Sequence, residues 1–210
     1  MAYSAVHGVV ANALAEPLPQ LRVGDAPQSV SVVVPVPEDG QLVAAAVAGQ
    51  TEAFGTLVER YERAVFHLCL RTMRSSDEAQ DCAQEAFFKA FRSLHTFKAG
   101  SKFSTWIFSI AYHACCDRLA RRKRFGDDEL PDKADPSPGP AQLAELNDEA
   151  RALRAAIDAL PEKYRAVITL YHIQGRQYEE IAQVLDLPMG TVKTHLFRAK
   201  ELLRKALTPQ

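Results

Sequence analysis

From Gln41 onward, apolar residues recur at spacings of three and four, the period of helices with one buried face. The Ala/Val-rich stretch from Gln41 predicts a short helix stopped at Gly49. Next, Phe54, Leu57, Val58, Tyr61, Val65, Leu68 and Cys69 share one side of a helix over 51–73, with Thr51 placed to cap it. A second long run sets Ala79, Cys82, Ala83, Ala86, Phe87, Ala90, Phe91 and Leu94 in one stripe over 77–94. Ser75 followed three residues later by Glu78 fits a capping box at its start. A third begins near Phe103, turns Phe103, Trp106, Ile107, Ile110 and Ala111 to one side, and runs to 124. These three helices can share one core, with 41–49 packed alongside.

The period returns near the C-terminus. Leu143, Leu146, Ala150, Leu153, Ile157 and Leu160 predict one helix, and Pro161 opens the next, where a missing N–H costs nothing. That helix buries Tyr164, Val167, Ile168 and Tyr171 and stops at Gly175. A short helix with Ile181, Ala182 and Leu185 then meets the turn Asp186, Leu187, Pro188, followed by a longer helix with Val192, Leu196, Ala199 and Leu203 inward. This is helix-turn-helix patterning, with small Ala182 permitting a close crossing. Lys193, Thr194, Arg198 and Lys205 fall on the outer face of the second helix.

The fold class is therefore all-α: two small helical domains, 41–125 and 143–210, joined by an acidic flexible linker over 126–142. Residues 1–40 hold five prolines and no helical period, and read as a mostly disordered tail. Val30–Val36 has strand composition, which Pro35 and Pro37 weaken.

Net charge is only −1 over 210 residues, but it is unevenly placed. Residues 1–40 carry −3, 41–125 carry +5, 126–150 carry −7 and 151–210 carry +4. Two basic blocks flank an acidic one, the distribution of a chain that meets nucleic acid at two places. In the second block, arginine can pair bidentately with guanine in the major groove and lysine can anchor phosphate. In the first, Phe103, Trp106, Tyr112 and His113 lie among the cations Lys98, Lys102, Arg118, Arg121 and Arg122. Unstacked bases need aromatic faces and their phosphates need cations. Trp106 and Phe103 fit a core face equally well, whereas the short loop Phe97–Lys102, with a glycine and two lysines, is poor core material. Phe88 projects roughly 150° from the middle of its helix's apolar stripe. It shares a polar face with Asp81, Gln84, Glu85 and Arg92, as a partner contact or as an incidental aromatic.

The run 77–94 with Gln84, Glu85 and Phe87, followed by Phe103, Ser104, Thr105 and Trp106 with Ile110 and Ala111, resembles region 2 of the extracytoplasmic-function sigma factors of bacterial RNA polymerase. The C-terminal unit resembles their region 4, in the family's order. The resemblance implies an initiation subunit without catalytic chemistry. Region 4 would read the −35 promoter element as duplex through Lys193, Thr194, His195 and Arg198. Region 2 would hold the opened −10 element. A flipped base would sit at Phe97, Lys98 and Lys102, near Phe103, Trp106, Tyr112 and His113, with Arg118, Arg121 and Arg122 on phosphates. His113 stands where the family often has asparagine. Asp81, Gln84, Glu85, Phe88 and Arg92 match the positions that dock on the clamp helices of core polymerase, and region 4 would meet the flap. An anti-sigma factor is a further implied partner. The acidic linker either tethers the domains or also threads polymerase channels.

Other classes fit less well. No glycine-rich phosphate loop or His-Glu-x-x-His motif is present, and the six histidines are scattered, so no enzyme activity, metal or cofactor is expected. No apolar run reaches membrane-span length, and the N-terminus lacks the cation and cleavage site of a secretory leader, which points to the cytoplasm. Cys69, Cys82, Cys115 and Cys116 form neither a disulfide framework nor a zinc pattern. They read as reduced structural thiols, with redox sensing at Cys115 or Cys116 as the alternative. Gly190–His195 also resembles response-regulator DNA-binding domains, a reading that requires an α/β receiver domain upstream.

Overall fold

The computed structural model describes residues 37–98, 100–125 and 148–208. The readings for residues 1–36, for the acidic linker and for Leu143 and Leu146 lie outside them. Helices α1 (Asp39–Val47), α2 (Thr51–Met73), α3 (Ser76–Ser93) and α4 (Phe103–Phe125) form one group. Helices α5 (Asp148–Asp158), α6 (Glu162–Ile168), α7 (Tyr178–Leu185) and α8 (Met189–Leu207) form the other. No strand occurs among the described residues, so 37–125 holds no α/β receiver domain.

Local signals start and stop these helices. A reciprocal box between Glu38 and Gln41 caps α1 two residues before the predicted start. Gly49 takes φ +100°, a backbone region costly for any residue with a Cβ, and so ends the α1 segment. Thr51 does not cap α2. The Ala53 N–H already donates to the Gln50 carbonyl, which makes Gln50 the N-cap and Thr51 the first helical residue. Ser75 does cap α3, its Oγ accepting from the Glu78 N–H at 3.4 Å.

In the first group, Ala79, Ala83, Ala86 and Ala90 are buried along α3. Their small side chains let α2 and α4 approach closely. Phe103 and Phe108 of α4 are fully buried, their rings against Tyr61. Phe91 departs from the predicted stripe and is 45% exposed. It sits at the stripe's edge, where Phe54 covers one side of the ring at 5.1 Å. Cys69, Cys82 and Cys115 meet in the core from three helices. A hydrogen bond with Cys115, then burial, pushes the Cys82 thiol far up, and for Cys115 a hydrogen bond with Cys69 and burial outweigh the opposing bond from Cys82. Burial raises the Cys116 thiol as well.

The second group buries Ala150, Leu153, Ile157, Leu160, Val167 and Ile168, then Ile181, Leu185, Val192, Leu196, Ala199 and Leu203, as the spacing predicts. Asp186 at φ +51° ends α7, and the Leu187 N–H returns to the Ala182 carbonyl at 3.0 Å to fix the turn before α8. A π-helical turn, Thr169–Ile173, prolongs α6.

The two groups are not separate bodies: α7 packs on α4, α6 packs on α2, and one core runs through both. Arg165 anchors this junction. Its buried guanidinium donates to the carbonyls of Arg71 at 2.6 Å, Leu160 at 2.8 Å and Asp158 at 3.1 Å. Arg71 in turn pairs with Asp158. A buried charge is tolerated only when so fully engaged.

Candidate nucleic-acid interface

The α8 surface follows from its packing. With Val192, Leu196, Ala199 and Leu203 turned inward, Lys193, Thr194, Arg198 and Lys205 are left exposed as predicted. The Thr194 hydroxyl donates to the Gly190 carbonyl at 2.9 Å, which fixes its rotamer along the helix. His195 does not join that face. It is half-buried, its ring edge-on to Tyr164 at 5.4 Å, because its position turns it toward α6. Burial, then the charges of Lys163 and Arg198, lower its pKa.

Two residues on this surface escaped the sequence reading. Phe197 is 66% exposed, one turn beyond Lys193 and next to Arg198. Like Phe88, it is a large aromatic on a polar helical face. Lys163 is exposed at the start of α6, its ammonium 5.1 Å from the Tyr164 ring centre.

On α4 the predicted residues divide. Phe97, Phe103 and Trp106 form an aromatic cluster, with Phe97 and Trp106 edge-to-face at 5.4 Å and Phe103 and Trp106 at 5.8 Å. Within it Phe103 is only 1% exposed and cannot itself meet a base; it holds the other two rings. Trp106 and Phe97 are half-buried, while Lys98, Lys102 and His113 are exposed. His113 Nδ1 lies 2.8 Å from the Ser109 carbonyl, a bond within the helix. Tyr112 is half-buried, and burial raises its hydroxyl pKa.

Arg118 and Arg122 turn away from this cluster. Arg118 pairs with Asp81 at 2.8 Å and with Glu78 at 3.7 Å, and Arg122 pairs with Glu78 at 2.9 Å. They brace α4 to α3, since α3 carries its carboxylates on the adjoining edge; Arg121 remains exposed. Lys102 is paired across the group boundary, 2.9 Å from Glu180.

The outer face of α3 is as predicted in its makeup. Asp81, Gln84, Phe88 and Arg92 are exposed and Glu85 is half-buried, paired with Lys89 at 2.7 Å. Phe88 is 61% exposed, and the Arg92 guanidinium lies 5.6 Å from its ring centre.

Comparison with known proteins converges. The Sigma-70 region 2 family matches residues 57–125, and the Sigma-70 region 4 family matches residues 150–203. The RNA polymerase sigma-H factor of Pseudomonas aeruginosa is 37% identical over 188 residues, covering 82% of this chain and 95% of that one. The ECF RNA polymerase sigma factor SigW of Bacillus subtilis is 33% identical over 172 residues, covering 76% and 91%. Among solved structures, CnrH in complex with the cytosolic domain of CnrY is similar with a TM-score of 0.58 at 27% identity, over 80% of this chain and 96% of that one.

Proposed function

Because this chain belongs to the extracytoplasmic-function sigma factors of bacterial RNA polymerase, we propose that its two helical groups serve as separate promoter-reading modules carried by core polymerase. The observation that carries this reading is the α8 face, where Lys193, Phe197, Arg198 and Lys205 stand exposed on the second helix of a helix-turn-helix. An α-helix of that shape fits the major groove. Arg198 reads a guanine edge there, Phe197 meets a thymine methyl, and Lys193, Lys163 and Lys205 neutralise phosphates. Residues 143–210 form this duplex-reading module for the −35 element.

Residues 41–125 form the module for the opened −10 element. Phe97, Trp106, Tyr112 and His113 offer aromatic faces, and Lys98, Lys102 and Arg121 offer cations beside them. Extracting a base from the stack costs a few kcal/mol, which an aromatic pocket bordered by cations offsets. Arg118 and Arg122 act indirectly, holding α4 straight against α3. Core polymerase docks on Asp81, Gln84, Glu85, Phe88 and Arg92; an exposed aromatic with a guanidinium stacked on it is suited to anchor an interface. Region 4 meets the polymerase flap. That CnrH is found with CnrY supports an anti-sigma factor as a further partner. The chain contributes recognition and strand capture, and polymerase contributes the chemistry. Among the described residues, no helix is long and apolar enough to cross a membrane, consistent with action in the cytoplasm.

The test is run-off transcription by core polymerase on a promoter library. Adding the chain is expected to yield discrete start sites that share upstream sequence; unchanged transcripts overturn the reading.

A further inference from the structure

The two rings Phe97 and Trp106 are both supported from α1, a helix that carries neither of them. Phe97 follows the single turn Leu94–Thr96, and its N–H donates to the Leu94 carbonyl at 3.0 Å. Helix α1 packs on that turn. Trp106 rests on Phe103, with ring centres 5.8 Å apart, and Phe103 rests on the Tyr61 ring at 5.5 Å. Tyr61 is tied back to α1, because its hydroxyl donates to the carboxylate of Asp39, the first residue of that helix. The other oxygen of the same carboxylate accepts from Arg60, which also donates to the Pro37 carbonyl at 2.9 Å.

Packing alone does not call for the Tyr61 hydroxyl. Against Phe103 and Phe108 a phenylalanine ring would serve as well, and the hydroxyl adds the bond to Asp39. Burial, then that bond, raises its pKa to about 12, so it remains a donor at neutral pH. Phe103 is 1% exposed, and a ring in a close-packed interior has no free space in which to absorb a shift of its neighbour. Phe97 and Trp106 meet edge-to-face at 5.4 Å, so movement of either changes the surface they present together.

Resting on the assignment of Phe97 and Trp106 to the opened strand, we propose that Asp39 and Tyr61 are positioning residues for that surface. The bond between them fixes Phe103, and through Phe103 the rings that a base meets. Neither residue touches the strand. Their contribution is preorganisation: rings held in place beforehand lose less freedom when the strand arrives.

Trp106 is the single tryptophan of the chain, so its emission reports this surface directly. The affinity probe is a fluorescent single-stranded oligonucleotide bearing the −10 sequence that the run-off library returns, titrated with the full chain. Tyr61→Phe is expected to move Trp106 emission to longer wavelength and to lower oligonucleotide affinity about fivefold, within what one hydrogen bond can transmit. Asp39→Ala should do the same. Asp39→Asn, whose amide oxygen still accepts from Tyr61, should stay within about twofold of the unsubstituted chain. Affinity for a −35 duplex stays constant in all three and verifies folding. In a Trp106→Ala background, Tyr61→Phe should lower affinity no further. Unchanged emission and affinity in Tyr61→Phe, whatever urea unfolding shows of its stability, overturn the inference, and so does equal loss in Asp39→Asn and Asp39→Ala. If Trp106→Ala itself leaves oligonucleotide affinity unchanged, the assignment beneath the inference has failed, which separates that failure from failure of the positioning role alone.

Discussion

On α8, Lys193, Arg198 and Lys205 are exposed, and none is ion-paired among the described residues. On and beside α4, Arg118 and Arg122 are held by Glu78 and Asp81, and Lys102 by Glu180. Residues 41–125 and 151–210 carry similar net charge, +5 and +4, yet spend it differently. One presents cations ready for a duplex that is always available in the cell. The other keeps Lys102, Arg118 and Arg122 engaged and leaves Lys98 and Arg121 exposed, for a ligand that exists only after the duplex opens. Net charge therefore measures a module's potential for nucleic acid; pairing decides how much of it is on offer.

Substitutions can break this contrast, and the largest effect is expected on α8. Arg198→Ala should remove roughly 1–3 kcal/mol of discrimination at one −35 base pair, read by competition among single-base duplex variants. Equal loss on every sequence would reduce Arg198 to a phosphate contact. Phe88→Ala should weaken core polymerase binding about tenfold with the fold intact. Unchanged affinity in a titration against labelled polymerase would make that aromatic incidental. Arg118→Ala, by contrast with Arg198→Ala, should cost stability and not recognition. About 0.5–1 kcal/mol is the expected range for its partly exposed pairs, measured by urea unfolding, with −10 oligonucleotide affinity within twofold. A larger fall in affinity than in stability would return Arg118 to the binding surface. The smallest effect belongs to Lys193→Ala, which should lower the slope of log affinity against log salt by about 0.9 without altering sequence preference.

The helices and most of their inner faces were legible because three-and-four spacing reports burial directly. Leu57, Leu68, Ala86, Val192 and Leu196 are buried where the pattern places them. Phe91 misled because periodicity gives a direction and not whether anything lies there to cover the ring. The exposed side of α8 was legible for the same reason the core was, although Phe197 was passed over in favour of charges. The resemblance implies a DNA-facing His195, yet a partner ring on α6, Tyr164, draws it inward. Arg165 and the module junction were not legible at all. Lys102 and Glu180 stand in different modules, and Arg165 serves carbonyls that any residue could supply. Such contacts depend on tertiary placement, to which spacing along one helix is blind.

Footprinting of promoter DNA by core polymerase loaded with this chain separates the module that holds duplex from the one that holds an opened strand. Hydroxyl-radical protection is expected at the upstream element, with permanganate-reactive thymines appearing roughly 25 base pairs downstream, ~85 Å along the duplex. Replacing Lys98 and Lys102 together by alanine should abolish the reactive thymines and leave upstream protection in place. Loss of both signals together, or full thymine reactivity without those lysines, would contradict the division of labour.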